Sequence, residues 1–221
     1  PQNPKTPRKC LLIYLYFNGI IKSKKRGTVS LKDSTGPPVG LFEAEHRILT
    51  VGDGDLSFSL ALSNWLKYKN KKTDFVATTY DSLETLTKMY AHLYREDLDL
   101  IKNKVRVLHE IDATKLDNYK TELDPENLVF DRIIWNFPHA GFPDEEKNEI
   151  RGPGFEWGDD YTEKHVKLLE YFFGLANQLL KPDGQIVVTH KTIEPFSLWD
   201  IPGIAMRNGY ELLVTHPFDV D

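Results

Sequence analysis

An acidic loop with two glycines follows the first β-like stretch of the chain and is the first place where the sequence suggests binding chemistry. Gly52, Asp53, Gly54 and Asp55 make up this loop. A Gly-x-Gly spacing at the first strand–helix crossover lets the backbone approach a ligand closely. The pyrophosphate of a nicotinamide dinucleotide would lie against the following helix, where two aspartates would repel it. The sulfonium and ammonium groups of S-adenosylmethionine would instead be attracted, so the loop predicts this cofactor.

Two more aspartates follow the second and third predicted strands. Asp81 is placed to accept hydrogen bonds from both ribose hydroxyls of the cofactor, and Asp112 is placed beside the adenine. Because the carboxyl ends of parallel strands meet at one edge of a sheet, we expect these two residues and Asp53 to line one site. Capping of the helix that follows is the alternative role for Asp55 and for Asp81.

A turn rich in polar and aromatic groups follows the fourth predicted strand, where a methyl acceptor would meet the sulfonium. It contains Asn136, Phe137, Pro138 and His139. The amide oxygen of Asn136 and the carbonyl of Phe137 can accept the N–H of a planar nitrogen, while Phe137 or His139 stacks on its ring. His139 can also accept a proton near neutral pH. The alternative is a turn stiffened by proline that buries an aromatic ring.

The candidate residues lie at the ends of predicted strands, and strands and helices alternate strictly along this part of the chain. Alternation of this kind is typical of a Rossmann-like, doubly wound, mostly parallel α/β sheet, so we predict one such domain over residues 46–221. Residues 1–45 are predicted to form a basic extension and linker. The predicted strands are 46–51, 75–80, 105–109, 129–136, 185–190 and 210–218, and the helices are 56–66, 82–94, 162–180 and 199–208, with a turn at 181–184.

Charge is distributed unevenly along the chain. The 221 residues carry a net charge of −5, which argues against a general nucleic-acid binder. Residues 1–32 nevertheless hold eight Lys and Arg residues and no acid, and all 33 acidic residues follow them. This basic arm either contacts RNA phosphates or is a solvated tail or localisation signal. Residues 144–160 are acidic and rich in Gly, Pro and aromatic residues, and form either a substrate lid or a solvated loop.

Several classes of site are excluded by composition. Cys10 is the only cysteine, so an internal disulfide and a cysteine-based zinc site are excluded. The seven histidines lack metal-ligand spacing, and no metal is expected. The longest apolar run, residues 11–21, is interrupted by Asn18 and Gly19 and is shorter than the roughly 20 apolar residues that a membrane span needs.

Taken together, these segments resemble the eukaryotic family of large-subunit rRNA uridine-N3-methyltransferases, over about residues 47–218. The segments that carry the resemblance are Gly52–Leu62, Thr78–Ser82, Asp112–Thr114, Phe130–Gly141 and the stretch around Trp199.

The resemblance implies a Rossmann fold, S-adenosylmethionine as methyl donor and methylation of a uridine ring nitrogen. It also implies ribosomal RNA or a pre-ribosomal particle as partner and a nuclear or nucleolar location, with cytoplasm or mitochondrion as alternatives. The family more often has Glu where Asp53 stands. Its members usually continue past the last strand into a Tyr-Pro-Gly-Tyr segment, so the chain is expected to be a fragment or to have an incomplete substrate face.

Two other functions fit parts of the sequence. A non-catalytic Rossmann-like module could bind RNA or protein within a ribonucleoprotein through the basic arm alone. A nucleotide-dependent oxidoreductase would share the fold, but the acidic loop disfavours it. The sequence does not indicate an oligomeric state.

Overall fold

The computed structural model describes residues 10–17, 42–66, 74–101, 104–141 and 159–217 of the chain. The basic residues of the arm and most of residues 144–160 lie outside this part, so the predictions for them remain predictions. The described elements are β1 (Cys10–Phe17), β2 (Ile48–Thr50), α1 (Ser57–Trp65), β3 (Phe75–Thr78), α2 (Leu83–Ile101), β4 (Arg106–Leu108), α3 (Lys120–Leu123), β5 (Phe130–Asn136), α4 (Asp159–Ala176), β6 (Leu180–Lys191), α5 (Ile201–Arg207) and β7 (Tyr210–Pro217).

All described strands belong to one sheet with the order β4-β3-β2-β5-β6-β1-β7. The five strands β2 to β6 are parallel, and helices connect them. The order reverses between β2 and β5, and in a doubly wound sheet the ligand binds at the carboxyl ends of the strands at such a point. The predicted fold class is therefore confirmed, and the loops after β2, β3 and β5 lie at the expected binding edge.

Strand β1 was not predicted. It pairs antiparallel with both β6 and β7 and separates these two strands. Its apolar residues were predicted to belong to the basic extension, because only the length of the run was considered. Rich in Leu, Ile, Tyr and Phe, the segment has the composition of a strand. The sheet thus has seven described strands instead of the six predicted.

The start of β6 also differs from the prediction. The helix expected to continue to Leu180 ends at Ala176 and is followed by a short 3-10 turn. Residues 181–184, predicted as a turn, lie within β6 as an irregularity: Phe130 pairs with Leu180, whereas Arg132 already pairs with Gln185. A Cβ on Gly184 would lie 2.9 Å from the Phe130 carbonyl oxygen, so this close approach requires glycine.

The sheet separates two apolar layers. Side chains alternate along the central strands, so that Leu49, Ile133 and Trp135 pack on one face with helix α4. Ile48 and Ile134 pack on the other face with helices α1 and α2. No helix among the described residues is long and apolar enough to cross a membrane.

A buried ion pair fixes the amino end of β2 to the loop before β5. The Arg47 guanidinium donates to the Asp124 carboxylate at 3.1 Å and to the Val129 carbonyl at 3.0 Å. Burial alone would raise the pKa of Asp124. Backbone N–H groups of Val129 and Leu128, together with Arg47, nevertheless hold that pKa below its usual value.

We expect Arg47→Met to lower the free energy of unfolding by about 3–5 kcal/mol, because it leaves the Asp124 carboxylate buried without its cation. Urea denaturation of both proteins measures the difference. Lys88→Met is the control, since Lys88 forms an ion pair with Glu84 on the surface of α2 and exposed pairs contribute little. Similar losses in the two variants would contradict a special role for the buried pair.

Candidate functional site

The loop after β2 is hydrogen-bonded to both neighbouring strands, β3 and β5, at the binding edge. The Val51 amide donates to the Ile134 carbonyl at 2.8 Å, and the Asp53 amide donates to the Thr78 carbonyl at 2.8 Å. Gly52 adopts a φ of 61°, and a Cβ there would lie 3.3 Å from the indole nitrogen of Trp135. Gly52 therefore satisfies both a left-handed backbone and a close approach, as the Gly-x-Gly spacing suggested.

Both acids of this loop bind the start of α1. The Asp53 carboxylate accepts from the Ser59 amide at 2.8 Å. The Asp55 carboxylate accepts from the Ser57 amide at 3.1 Å and from the Ser57 hydroxyl at 2.6 Å. Contact with the start of α1, considered above for Asp55 but not for Asp53, thus applies to both aspartates of this loop. Their negative charges still lie beside Gly54, at a half-buried position on the binding edge.

The Asp81 carboxylate is in a different situation. Ser82 caps α2, since its hydroxyl oxygen accepts from the Thr85 amide at 3.2 Å. Asp81 contributes only its backbone carbonyl, which accepts from the Thr79 hydroxyl at 2.8 Å. Among the described residues, nothing donates to its carboxylate or forms an ion pair with it. Helix capping, the alternative role considered for Asp81, is therefore taken by its neighbour.

Asp112 is held by contacts that were not anticipated. One carboxylate oxygen accepts from the Thr114 amide at 2.9 Å and from the Thr114 hydroxyl at 2.7 Å, and the other lies 3.0 Å from the Lys115 ammonium. Burial works to raise the pKa of Asp112, but these partners lower it. Its carboxylate caps the 3-10 helix Ala113–Tyr119, while its place after β4 agrees with the prediction.

The turn after β5 is held by β6. The Thr189 hydroxyl donates to the side-chain oxygen of Asn136 at 2.6 Å, and the Thr189 carbonyl accepts from the Phe137 amide at 2.8 Å. Phe137 has a φ of 51° and a side chain that is 36% exposed, whereas Pro138 is buried. The stacking role of the exposed Phe137 ring stays a prediction, and the Asn136 oxygen is the side-chain atom that contacts Thr189.

Both ring nitrogens of His139 have partners. Nδ1 accepts from the Gly141 amide at 2.9 Å, so the ring proton is on Nε2, which lies 3.0 Å from the Tyr161 hydroxyl. The ring of this exposed histidine also lies 4.5 Å from that of His165. These contacts indicate that His139 packs and orients the turn, and its role as a base stays a prediction.

A cluster of aromatic rings beneath this turn was missed. His165 is fully buried and stacks on Trp199 at 4.0 Å between ring centroids, and its Nδ1 donates to the Tyr161 carbonyl at 2.6 Å. Trp199 also contacts His190, with ring centroids 4.7 Å apart. Burial lowers the pKa of His190 to about 4 and lowers that of His165. No regular spacing in the sequence connects these residues, because they come from α4, β6 and a 3-10 helix.

The polar side chains that hold the site were also missed. Thr78 and Thr189 lie at the ends of apolar strands, where β-branched residues are common for reasons of packing alone. The only available signal was their position near the carboxyl ends of the predicted strands 75–80 and 185–190. Among the described residues, no group of three His, Cys, Asp or Glu side chains could hold a metal ion.

Comparisons with known proteins identify the family of the chain. Residues 49–221 match the BMT5-like family, described as rRNA (uridine-N3-)-methyltransferase. Similar Arabidopsis thaliana proteins include heavy metal-associated isoprenylated plant protein 41, 34% identical over 75% of this chain and 29% of that protein. A second, described as uncharacterized, is 31% identical over 81% of this chain and 79% of its own length. No solved structure matches the chain.

The parallel sheet and the family match together define a methyltransferase domain of the Rossmann-like type. More particularly, the chain belongs to the BMT5-like family of rRNA uridine-N3-methyltransferases. It spans less than a third of the first of the two relatives.

We expect acid to destabilise the protein through His190. Its pKa is lowered to about 4 when folded, so between pH 6.5 and 4 the unfolded chain binds more protons and stability falls as the pH falls. The contribution of this single group is about 3 kcal/mol over that range. Urea denaturation at several pH values should show a shallower loss for His190→Gln, which retains a donor for the Phe196 carbonyl. Parallel pH profiles would show that His190 titrates normally.

Proposed function

We propose that this chain is an S-adenosylmethionine-dependent methyltransferase that modifies N3 of a uridine in large-subunit ribosomal RNA. The observation that carries the proposal is the Asp81 carboxylate, which has no partner among the described residues and follows β3 at the binding edge. A buried or half-buried carboxylate without a donor is costly, and a ribose diol offers two hydroxyl donors.

The residues present fit the charge of the cofactor. Asp53, Asp55 and Asp81 make the edge negative, and the α1 amides that a phosphate would need are partly used by Asp53 and Asp55. A pyrophosphate is disfavoured on both counts, whereas a sulfonium and an ammonium are favoured. Gly52 and Gly54 add no side chains at two positions of the loop, and Asp112 remains the candidate for the adenine side. When bound, S-adenosylmethionine would supply an electrophilic methyl group.

The acceptor base is proposed to lie against the turn after β5. The exposed ring of Phe137 can stack on a uracil turned out of its RNA stack. Thr189 holds the Asn136 oxygen, so the Asn136 amide N–H can donate to a uracil carbonyl while the oxygen keeps a second lone pair for N3–H. Pro138 and His139 fix the direction of the turn.

A proton must leave uracil N3 before or during methyl transfer. His139 is the titratable group in the turn, and Nδ1 carries its lone pair toward the Gly141 amide. For His139 to act as base, this hydrogen bond must be exchanged for one to the base or to a water molecule. A rotation of the Gly141 peptide is sufficient, because the Tyr161 contact is made by Nε2.

The basic arm, residues 1–32, is proposed to add non-specific phosphate contacts that help to dock ribosomal RNA or a pre-ribosomal particle. A nucleolar location follows from that partner.

Asp81→Ala should weaken binding of S-adenosylhomocysteine by about 1.5–3 kcal/mol, since two ribose hydroxyls lose a charged acceptor. Calorimetric titration measures the affinity directly. Glu211→Ala on β7 removes the same charge at the far edge of the sheet and should leave the affinity unchanged. Unaltered binding in the Asp81 variant would remove this residue from the site.

Asn136→Ala should slow single-turnover methylation of uridine-containing rRNA by about 100-fold, because the base is no longer held in line with the methyl group. The affinity for S-adenosylhomocysteine should not change. Nucleoside mass spectrometry identifies the product as 3-methyluridine. If the rate equals that of the parent protein, or both rate and affinity fall together, the assignment of this turn to the acceptor side is wrong.

His139→Phe separates packing from base catalysis. If the His139 ring only packs, the phenylalanine ring takes its place and the variant largely retains activity. If His139 acts as the base, the variant lowers the methylation rate by about 10²–10⁴-fold. The rise of that rate with pH, which the base produces, is then lost as well.

A further inference from the structure

Tyr90 brings a hydroxyl group to the loop after β2. It lies on α2, about two turns from the start at Leu83. Helical side chains lean toward the amino end of their helix, and the amino end of α2 adjoins the binding edge. The Tyr90 ring packs against the core cluster beneath α1 and α2. Its hydroxyl oxygen lies 3.4 Å from the position that a Cβ on Gly54 would occupy, so the polar end of the side chain reaches the loop.

Three carboxylates act electrostatically on this hydroxyl. Burial raises the pKa of Tyr90, and the charges of Asp55, Asp81 and Asp53 raise it further. The phenol therefore stays protonated at neutral pH and presents an O–H donor. Among the described residues, no group accepts a hydrogen bond from it. A half-buried donor next to an unpartnered carboxylate, that of Asp81, makes a pair that a single ligand can satisfy.

We propose that the Tyr90 hydroxyl donates a hydrogen bond to a ribose oxygen of the bound cofactor, beside Asp81. This inference rests on the proposed function. A ribose diol carries two O–H donors and two acceptor oxygens. Asp81 accepts from the hydroxyl protons and Tyr90 donates to one of the oxygens, so the two side chains recognise complementary properties of the same diol. The site thereby selects a nucleoside with an intact ribose.

The position of Gly54 supports this assignment. A Cβ at residue 54 would lie 3.4 Å from the Tyr90 hydroxyl oxygen, so a side chain there would enter the space beside this hydroxyl. Glycine leaves that space to the ligand, and it places the diol within reach of both groups. Gly54 thus leaves room beside the Tyr90 side chain of α2, in addition to its role in the backbone of its own turn.

Calorimetry on the full chain with S-adenosylhomocysteine tests the proposal. Tyr90→Phe removes only the hydroxyl and should weaken binding about three- to tenfold, the range for one neutral hydrogen bond. Tyr171→Phe, which alters a tyrosine that is 59% exposed on α4, is the matched control and should bind as the parent does. Thermal unfolding of the unliganded Tyr90→Phe variant should be unchanged, which separates a ligand contact from a packing role.

The 2′-deoxy and 3′-deoxy analogues of the ligand identify the oxygen. For one of them the Tyr90→Phe penalty should disappear, because the partner atom is already absent. Parent-like affinity of Tyr90→Phe, or an equal penalty for the ligand and both analogues, would overturn the role of Tyr90 while the proposed function stands. Failure of the parent protein to bind the ligand would overturn both.

Discussion

The candidate site depends on the hydrogen bonds made by Thr78 at the end of β3. Its hydroxyl donates to the Thr50 carbonyl at 2.9 Å and accepts from the Gly52 amide at 3.3 Å, while its carbonyl accepts from the Asp53 amide at 2.8 Å. One fully buried residue thus joins two strands and sets the direction in which the loop leaves the sheet. The same three contacts give partners to the Thr50 carbonyl and to the Gly52 and Asp53 amides where the β2–β3 ladder ends.

Thr189 has the corresponding role on the other side of the sheet reversal. It bonds the side chain of Asn136 and the amide of Phe137, and so aims the turn after β5. The two threonines lie in strands on either side of the β2–β5 pair. The loops after β2 and β5, which are the proposed cofactor and acceptor loops, are therefore both held by neighbouring strands of the sheet. Positioning of this kind lowers the entropic cost of bringing two reacting groups into line.

The regular part of the fold was predictable because its elements alternate in a simple way. Strands β2 to β6 and helices α1, α2, α4 and α5 follow from apolar runs and helical spacing along the chain, whereas α3 was not predicted. The binding edge follows from the topology rule. Strand β1 was not predictable in the same way. A single strand that inserts antiparallel between β6 and β7 has no local partner in the sequence, and its pairing depends on contacts nearly 200 positions away.

The candidate site was predictable to the level of residue positions but not of contacts. Asp53, Asp55 and Asp112 occupy the expected strand ends, yet each also accepts hydrogen bonds from a nearby helix, and only the geometry distinguishes them from Asp81. Tyr161 and His165, which contact His139, lie on α4, far from the turn in sequence. The sequence motif alone therefore gave no sign of these contacts. Contacts between distant elements, which no periodicity encodes, account for the difference.

On the proposed function, the negatively charged edge binds S-adenosylmethionine and not a dinucleotide. Parallel calorimetric titrations of the unaltered chain with S-adenosylhomocysteine, NAD and ATP test it most directly. We predict saturable one-to-one binding of S-adenosylhomocysteine and no heat of binding for NAD or ATP. Binding of NAD or ATP in its place would contradict the account, as would the absence of binding to S-adenosylhomocysteine by the folded protein.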